Sequence, residues 1–465
     1  MALASYEEAR SPVELSASPV YRYQYSSITD ALTDMSRGGT GHAGARQAVQ
    51  SLCMSYFSGC PPGTGRIYMQ TDTTPIRKAH SPTLPGRTYV PLPNNAIPGN
   101  RPLGIGYEVS FVNVSEPATK WSLPLDIERV GTDETATERA LAQLGRIFAL
   151  AAPGLAGKLC INELDSKYGT AAYLSPAWAF GSLVSAVRFR AGMKVWAPAQ
   201  GGKPTGAPKV YGEKYYLCPE SRSKPYKRHP KTGLPYEVWQ RSIFERPPSE
   251  ELALEGQTGK GRRVHVRVRR WNGMMVRTKD GHNMKDKPFD LLAVKVTDAE
   301  TGRALFGQEM YIALSGRRRA EVGTEEAYAA YRHRYDIEPF LRFAKQRLML
   351  EKYQTPDVGH LDNWLLCNQL AAWLLYAASD EADFRPRKWR RYLPANKTLP
   401  RGRRLSIAQA RHAAQELFLT FDPAAFFPLK SKKGRPRQKG ETQSQRTRYK
   451  VVKKNTKKPK PAPKT

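Results

Sequence analysis

The regular succession of short β-prone runs and helical stretches between residues 66 and 190 constrains the fold of this chain more than any other feature. Strands interleaved with helices form an α/β layer fold. Asp72 and Asp165 follow the first and the fourth predicted strands, and ligands of α/β sheets bind at strand ends, so the two carboxylates are expected to converge. Strands are predicted at 66–70, 88–92, 106–114, 158–164 and 187–190, and helices at 132–150, where Thr135 and Glu138 have capping-box spacing, and at 177–186.

The chain is strongly basic. Its 465 residues include 74 Lys and Arg against 42 Asp and Glu, which gives a net charge of +32. Residues 430–465 hold 15 of these cations and one acid, Glu441, so this tail carries +14 and the other residues +18. A folded body with that charge predicts a polyanionic partner, and nucleic acid is the leading candidate.

Two classes of protein are excluded by composition. No stretch approaches the roughly 18 uninterrupted apolar residues of a membrane span. The N-terminus, MALASYEEAR, is acidic where a secretory signal begins with basic residues. The five cysteines form no C-x2-C pair, so we expect reduced thiols in a cytoplasmic protein rather than a zinc site.

Residues 191–290 do not continue the succession of strands and helices seen at 66–190. Their composition predicts a basic, β-rich insertion. Within them, residues 262–270 (RRVHVRVRR) alternate between valines and cations, so that Arg267 and Arg269 lie on a cationic strand face. Like charges at every second position repel, and a phosphate backbone opposite them would relieve the repulsion. The alternative is the solvated outer face of an antiparallel sheet.

The tail at 429–465 is rich in Lys and Pro and is predicted to be disordered. Its segment 433–437 (KGRPR) resembles the core of an AT-hook, in which Arg435 would enter a narrow minor groove. Generic polyelectrolyte binding is the alternative interpretation.

A long helix is predicted over residues 325–346. At 100° per residue, Tyr331, Arg334, Glu338 and Lys345 fall within about 60° of one another. A separate apolar face is formed by Ile337, Phe340, Leu341, Ala344 and Leu348. Pro339 predicts a kink beside Glu338. The alternative to a functional role for these four residues is an amphipathic helix whose charged side chains form surface ion pairs.

The spacing Tyr331-x2-Arg334-x3-Glu338-x6-Lys345 matches the Y-x2-R-x3-E-x6-K motif of bacterial insertion-sequence transposases of the DDE type, and resembles their cut-and-paste branch. Upstream, TDTT at 71–74 and LDSKYG at 164–169 resemble the two aspartate motifs of that family. The resemblance spans roughly residues 66–350 and includes an insertion between the second aspartate and the glutamate.

The resemblance implies a ribonuclease-H-like core that binds two Mg²⁺ or Mn²⁺ ions and cleaves and transfers strands at transposon ends, either through a hairpin or by another excision route. Two-metal phosphodiester chemistry needs hard oxygen ligands, which Asp72, Asp165 and Glu338 would supply. By resemblance, Arg334 and Lys345 would hold phosphates and Tyr331 would contact the DNA backbone.

Each carboxylate also has a purely structural interpretation. Asp72 could cap a turn, and Asp165 could be the N-cap of the following helix, with Glu163 as a rival ligand. Glu338 could pair with Arg334 or with Arg342. Trp239 and Trp271 are candidates to stack a flipped base, although a core role is the simpler explanation for both.

These observations predict an α/β protein with a ribonuclease-H-like catalytic core interrupted by the insertion. The expected segments are 1–62 (partly helical), 63–190 (first part of the core), 191–290 (insertion), 291–380 (second part of the core), 381–428 (helical) and 429–465 (tail). The expected protein is a cytoplasmic, nucleoid-associated DDE transposase that acts on double-stranded DNA, as a homodimer by resemblance. The alternatives are a transposase-derived DNA-binding protein and a metal-dependent nuclease.

Overall fold

The structure, a computed structural model, is a mixed α/β protein with a large mixed sheet and helices at both ends. Contacts divide the chain into two compact units: unit 1 comprises residues 1–61, 72–154 and 335–465, and unit 2 comprises 62–71 and 155–334. The residues described are 1–21, 26–37, 41–59, 65–92, 102–116, 118–150, 154–199, 210–218, 226–228, 232–237, 241–258, 261–277, 282–383, 404–421, 438, 440, 442 and 445–454.

Strand β1 (Arg66–Arg77) contributes its first half to unit 2 and its second half to unit 1. The other elements of unit 1, labelled in chain order, are helices α1 (Ala2–Ser5), α2 (Ser26–Arg37), α3 (Gly41–Gly59), α4 (Ala136–Ala149), α7 (Ile337–Gln346), α8 (Val358–Glu381) and α9 (Ile407–Phe421), and strands β2 (Thr88–Pro91), β3 (Leu103–Glu116) and β4 (Trp121–Arg129). Strand β3 pairs in antiparallel fashion with both β2 and β4.

The core of unit 1 lies between its strands and its C-terminal helices. It contains Tyr107, Val109, Phe111 and Ile127 of the strands and Ile337, Phe340, Leu341, Ala344, Leu361 and Leu365 of α7 and α8. The backbones of β1 and β3 approach closely at Gly106, where a Cβ would lie 1.9 Å from the carbonyl oxygen of Ile76. Only glycine fits that approach.

Unit 2 contains the longer part of the sheet. Its elements are β5 (Leu159–Leu164), α5 (Ala171–Ala177), β6 (Leu183–Phe189), β7 (Lys194–Pro198), β8 (Tyr211–Tyr216), β9 (Tyr226–Arg228), β10 (Pro235–Glu237), β11 (Glu250–Gln257), β12 (Arg263–Met274), β13 (Phe289–Asp298), β14 (Met310–Ser315) and α6 (Thr324–His333). The strand order is β11-β12-β13-β14-β6-β5-β1, in which β5 pairs in parallel with β1 and β6 and the remaining pairs are antiparallel. Helix α6 covers one face through Ala327, Ala330 and Tyr331.

Two predicted helices differ from the observed ones. The helix expected at 177–186 lies earlier, as α5, and residues from Leu183 onward form β6 because they pair with β5. The helix expected at 325–346 is divided into α6 and α7 by a 3-10 turn at Arg334–Asp336. Pro339 is the third residue of α7, where its missing N–H costs no internal hydrogen bond, so the break precedes the proline.

The compact units divide the chain differently from the expected segments. Residues 191–290 belong to unit 2 together with 155–190 and 291–334, because β12 pairs with β13 in the main sheet. Part of the tail expected to be disordered is held in place. The N–H groups of Tyr449 and Val452 donate to the carbonyl oxygens of Pro82 at 2.9 Å and Arg87 at 2.7 Å.

Candidate functional site

The two candidate aspartates come directly after the last paired residues of β1 and β5 in unit 2. Asp165 follows the end of β5, as expected, but Asp72 lies within β1, which continues to Arg77, and not after the end of the first strand as the sequence predicted. Strands β1 and β5 are parallel, and their register runs from Arg66 opposite Leu159 to Thr71 opposite Leu164. Asp72 and Asp165 are the next residues of the two strands. Neighbouring strands lie about 4.8 Å apart and paired residues point to the same face, so Gln70 and Glu163, the last pair but one, share one face of the sheet.

Buried polar contacts fix this register. The hydroxyl of Thr71 donates to Oδ1 of Asn162 at 3.0 Å, and the side-chain amide of Asn162 donates to the phenol oxygen of Tyr173 at 3.0 Å. These side chains are buried, so a slip of the register would leave them without partners. The pairing of β1 with β5, up to Thr71 and Leu164, is therefore held in a defined register.

Both aspartates are partly buried and both bond to nearby backbone. Oδ1 of Asp72 accepts from the N–H of Thr73 at 2.7 Å, and Oδ1 of Asp165 accepts from the N–H of Lys167 at 2.8 Å. Turn formation is thus part of the role of Asp165, which precedes the turn after β5, whereas Asp72 lies within β1. Asp165 is not the N-cap of α5, because that position is occupied by Thr170.

Glu163, the rival ligand, is fully buried. It lies opposite Gln70 in the strand pair, on the same face as Tyr68 and Ile161. Burial raises the pKa of the Tyr68 phenol, and the carboxylates of Glu326 and Glu163 act in the same direction. Asp165, two residues further along this face, is partly exposed and is the more accessible ligand.

Helix α6 runs in the same direction as β1 and ends close to its last residues in unit 2. Near the start of the helix, Glu326 accepts from Nε of Arg66 at 2.8 Å. At its end, the carbonyl oxygen of His333 accepts from the side-chain amide of Gln70, and the His333 ring lies 5.9 Å from that of Tyr68. The contact through Gln70 was not predicted. One feature of the sequence could have indicated this contact: Gln70 is a polar residue two positions before Asp72, and it therefore lies on the same face of the strand.

Tyr331 and Arg334 of the predicted stripe are buried in unit 2. Tyr331 belongs to the core cluster with Ala327 and Ala330 and has no exposed surface, while Arg334 is 9% exposed with its guanidinium 5.9 Å from the Tyr331 ring centre. The expected DNA contact of Tyr331 remains a prediction. In this structure its ring packs in the core.

Glu338 and Lys345 lie on one face of α7 in unit 1, two helical turns apart. Glu338 is exposed in the first turn, where the helix dipole favours a carboxylate. Lys345 donates to the carbonyl oxygen of Pro75 at 2.7 Å and lies 3.3 Å from a carboxylate oxygen of Glu351. Helix α7 is thereby attached to the end of β1, three residues after Asp72.

The alternation predicted for β12 is confirmed. Its valines are buried, whereas Arg267 is mostly exposed and Arg269 is partly exposed. The cations of this face are all opposed by acids: Arg263 by Glu300 at 3.8 Å, His265 by Glu255 at 4.0 Å, Arg267 by Glu251 at 3.3 Å and Arg269 by Glu309 at 2.8 Å. These carboxylates relieve the repulsion that suggested a phosphate partner. DNA binding by Arg267 and Arg269 stays a prediction.

Three further candidates can be placed or set aside. Trp271 is 1% exposed and its indole N–H donates to the carbonyl oxygen of Arg246 at 2.9 Å, so it has the core role. Arg435 and Trp239 lie outside the described residues.

Cys53, Cys160, Cys218 and Cys367 are free thiols, and burial raises the pKa of Cys53 and of Cys160 to about 12.

The donor chemistry of the three candidate carboxylates suits Mg²⁺, which prefers hard oxygen ligands and keeps several of its waters. Asp72 and Asp165 are partly exposed and Glu338 is exposed, so each has surface to offer an ion. Within the described parts of the chain, however, no group of three or more His, Cys, Asp or Glu side chains is arranged to hold a metal. Asp72 and Glu338 belong to unit 1 and Asp165 belongs to unit 2.

Helix α8 is the longest of the described helices and packs on β4 through hydrogen bonds. Its Trp373 and Gln369 donate to the carbonyl oxygens of Pro124 at 2.7 Å and Leu125 at 2.8 Å. Across the described ranges, none of the helices combines the length and apolar character needed to cross a bilayer.

No protein-family profile matches the sequence, and no curated protein shows significant similarity to it.

Proposed function

We propose that this protein is a DNA transposase of the DDE type, with a ribonuclease-H-like core that cleaves and transfers strands at the ends of an insertion sequence. The observation that carries the proposal is the parallel pair β1–β5, whose register ends at Thr71 and Leu164, immediately before Asp72 and Asp165. The proposal is that these two carboxylates, each directly after the paired residues, supply hard oxygen ligands to divalent ions.

The course of the motif segment supports the proposal. In unit 2, α6 follows β1 from Arg66 to Gln70, and in unit 1, Lys345 of α7 contacts Pro75. Asp72 lies between Gln70 and Pro75 in the sequence, and Glu338 lies between His333 and Lys345. Within unit 1, Asp72 and Glu338 thus lie on two segments, β1 and α7, that are joined by the hydrogen bond from Lys345 to Pro75.

In the proposed reaction, Asp72, Asp165 and Glu338 hold two divalent ions, which when bound would activate the attacking oxygen and stabilise the leaving oxygen. In this proposal the first two carboxylates come directly after the β1–β5 pairing, and the third lies on an exposed helical turn. Lys345 is free to bind a phosphate once it exchanges its contacts with Pro75 and Glu351. Arg334, being buried, would act by supporting the turn that precedes Glu338.

The test uses duplex DNA that carries the flanking ends of the element, incubated with Mg²⁺ or Mn²⁺. The wild type is compared with Asp72→Asn, Asp165→Asn and Glu338→Gln, and Glu325→Gln provides the matched control because Glu325 is an exposed carboxylate of α6. Removing a ligand charge should abolish metal-dependent cutting at the repeat boundary, whereas the control should cut normally.

Other outcomes would refute the proposal in distinct ways. Binding of the ends without cleavage by the wild type would indicate a DNA-binding protein. Cleavage without preference for the ends or strand transfer would indicate a nuclease. Equal cleavage by the wild type and Glu338→Gln would exclude Glu338 as a ligand.

A further inference from the structure

Residues 445–454, named here the docked segment, lie on unit 1 and are attached by their backbone. Besides the two hydrogen bonds from Tyr449 and Val452, Val452 forms a parallel β-bridge with Thr88 of β2. Side-chain bonds contribute as well, since Nζ of Lys454 donates to the carbonyl oxygen of Glu134 at 3.4 Å. A segment with strongly basic composition is thus held at one place on the protein surface.

The anchor beneath the docked segment is Arg87. Its side chain is 4% exposed, and its guanidinium donates to the carbonyl oxygen of Tyr449 at 3.0 Å. The same group also donates to four carbonyls of the preceding loop, those of Lys78, Ala79, Pro82 and Leu84, at 3.1–3.5 Å. An arginine whose donors are all directed at carbonyls stabilises that loop and the docked segment together.

The side chains of the docked segment face solvent. Arg446, Arg448, Lys450 and Lys453 are exposed, and in contrast to the cations of β12 they make no ion pair with any described carboxylate. Cations without acidic partners retain their full charge for an external anion. Fixing them on a folded surface lowers the entropy that each would lose on binding.

We infer that the docked segment is a binding surface for the phosphate backbone of duplex DNA, with Arg446, Arg448, Lys450 and Lys453 as its contacts. The choice of DNA rests on the proposed function, whereas the location rests on the docking and on the unpaired cations. The face of β12, which the sequence alone favoured, would contribute less because its arginines are already paired with acids.

The test measures affinity for a short duplex by fluorescence anisotropy at several salt concentrations, in EDTA so that no cleavage occurs. In the full chain, the quadruple variant R446Q/R448Q/K450Q/K453Q removes the four charges. Its matched control, K457Q/K458Q/K460Q/K464Q, removes four charges from the same tail beyond the docked segment. Each phosphate contact contributes about 0.9 to the slope of log K against log salt, so the slope should fall by roughly 2–4 in the first variant and by less than about 1 in the control.

A second pair of variants separates docking from charge. Tyr449→Pro combined with Val452→Pro removes the two N–H donors and leaves every charge in place. Thr447→Pro is the control, because the N–H of Thr447 donates to no backbone carbonyl of the described residues. Undocking should weaken DNA binding by about threefold or more through the lost preorganisation, and the control should not.

Three results would overturn the inference. The first is an unchanged salt slope in the quadruple variant R446Q/R448Q/K450Q/K453Q. The second is a slope that falls as much in the tail control as in this variant. The third is a quadruple variant that binds single-stranded RNA more weakly but binds the duplex as well as the wild type does. Because no metal or cleavage is involved, these results are independent of the catalytic proposal, which is tested by the cleavage assay described above.

Discussion

Replacing Lys78 by methionine should change how the stability of the protein depends on pH. The Lys78 side chain is 1% exposed, and its Nζ donates to the carbonyl oxygens of Glu351 at 2.9 Å and Tyr353 at 2.6 Å. Burial lowers the pKa of Lys78 from 10.5 to about 8, against an opposing effect of the Glu351 carboxylate. Carbonyl bonds only partly replace the water that a buried ammonium loses.

The sign follows from proton linkage. Between about pH 8 and pH 10.5 the unfolded chain binds the Lys78 proton more tightly than the folded protein does, so the free energy of unfolding rises with pH across this window. Below pH 8 both states are protonated and the cost of burying the charge is constant. The shift predicts a gain of about 2–3 kcal/mol for the wild type between pH 7 and pH 10.

Urea titrations at pH 7, 8, 9 and 10 would measure this gain in the wild type and in Lys78→Met. The variant cannot titrate at this position, so the difference in unfolding free energy between the two proteins should change by about 2–3 kcal/mol in favour of the wild type as the pH rises. Lys352→Met, which neutralises an exposed lysine, should follow the wild-type profile. Parallel curves for the wild type and Lys78→Met would refute the reasoning.

Two further predictions concern packing. Gly106→Ala should lower the free energy of unfolding by about 3 kcal/mol or more, because the new Cβ would meet the Ile76 carbonyl oxygen at 1.9 Å; a loss under about 1 kcal/mol in urea titrations would contradict this. Trp271→Phe should cost about 1–3 kcal/mol, since the Arg246 carbonyl loses its indole donor, and should leave DNA affinity unchanged. Weaker DNA binding at unaltered stability would instead restore the base-stacking role of Trp271.

Local patterns predicted much of the fold. The capping box of Thr135 and Glu138 begins α4, and the apolar positions of the 325–346 segment, such as Phe340 and Ala344, are buried. Strand β4 was not predicted, because the charged residues Asp126 and Glu128 interrupt its run of apolar residues. Asp126 is fully buried and is paired with Arg146 at 2.7 Å and Arg46 at 3.5 Å, partners that are distant in sequence.

The candidate site was predictable only in its residue types and approximate positions. Spacing on an ideal helix placed Tyr331 beside Glu338, but the turn at Arg334–Asp336 interrupts that helix and Tyr331 packs in the core of unit 2. Composition likewise predicted a disordered tail and could not reveal the carbonyl of Pro82 that binds Tyr449. Both differences arise from contacts between residues far apart in the chain.

The apolar face of β3 and β4 has a consequence for biosynthesis. Phe111 and Ile127 are covered by α7 and α8, which begin at Ile337 and Val358. At about 5–20 residues per second, the ribosome needs roughly ten seconds or more to reach those helices after it completes β4. The nascent chain therefore carries an uncovered hydrophobic surface for that interval, and its yield of folded protein should depend on chaperones that bind such surfaces during translation.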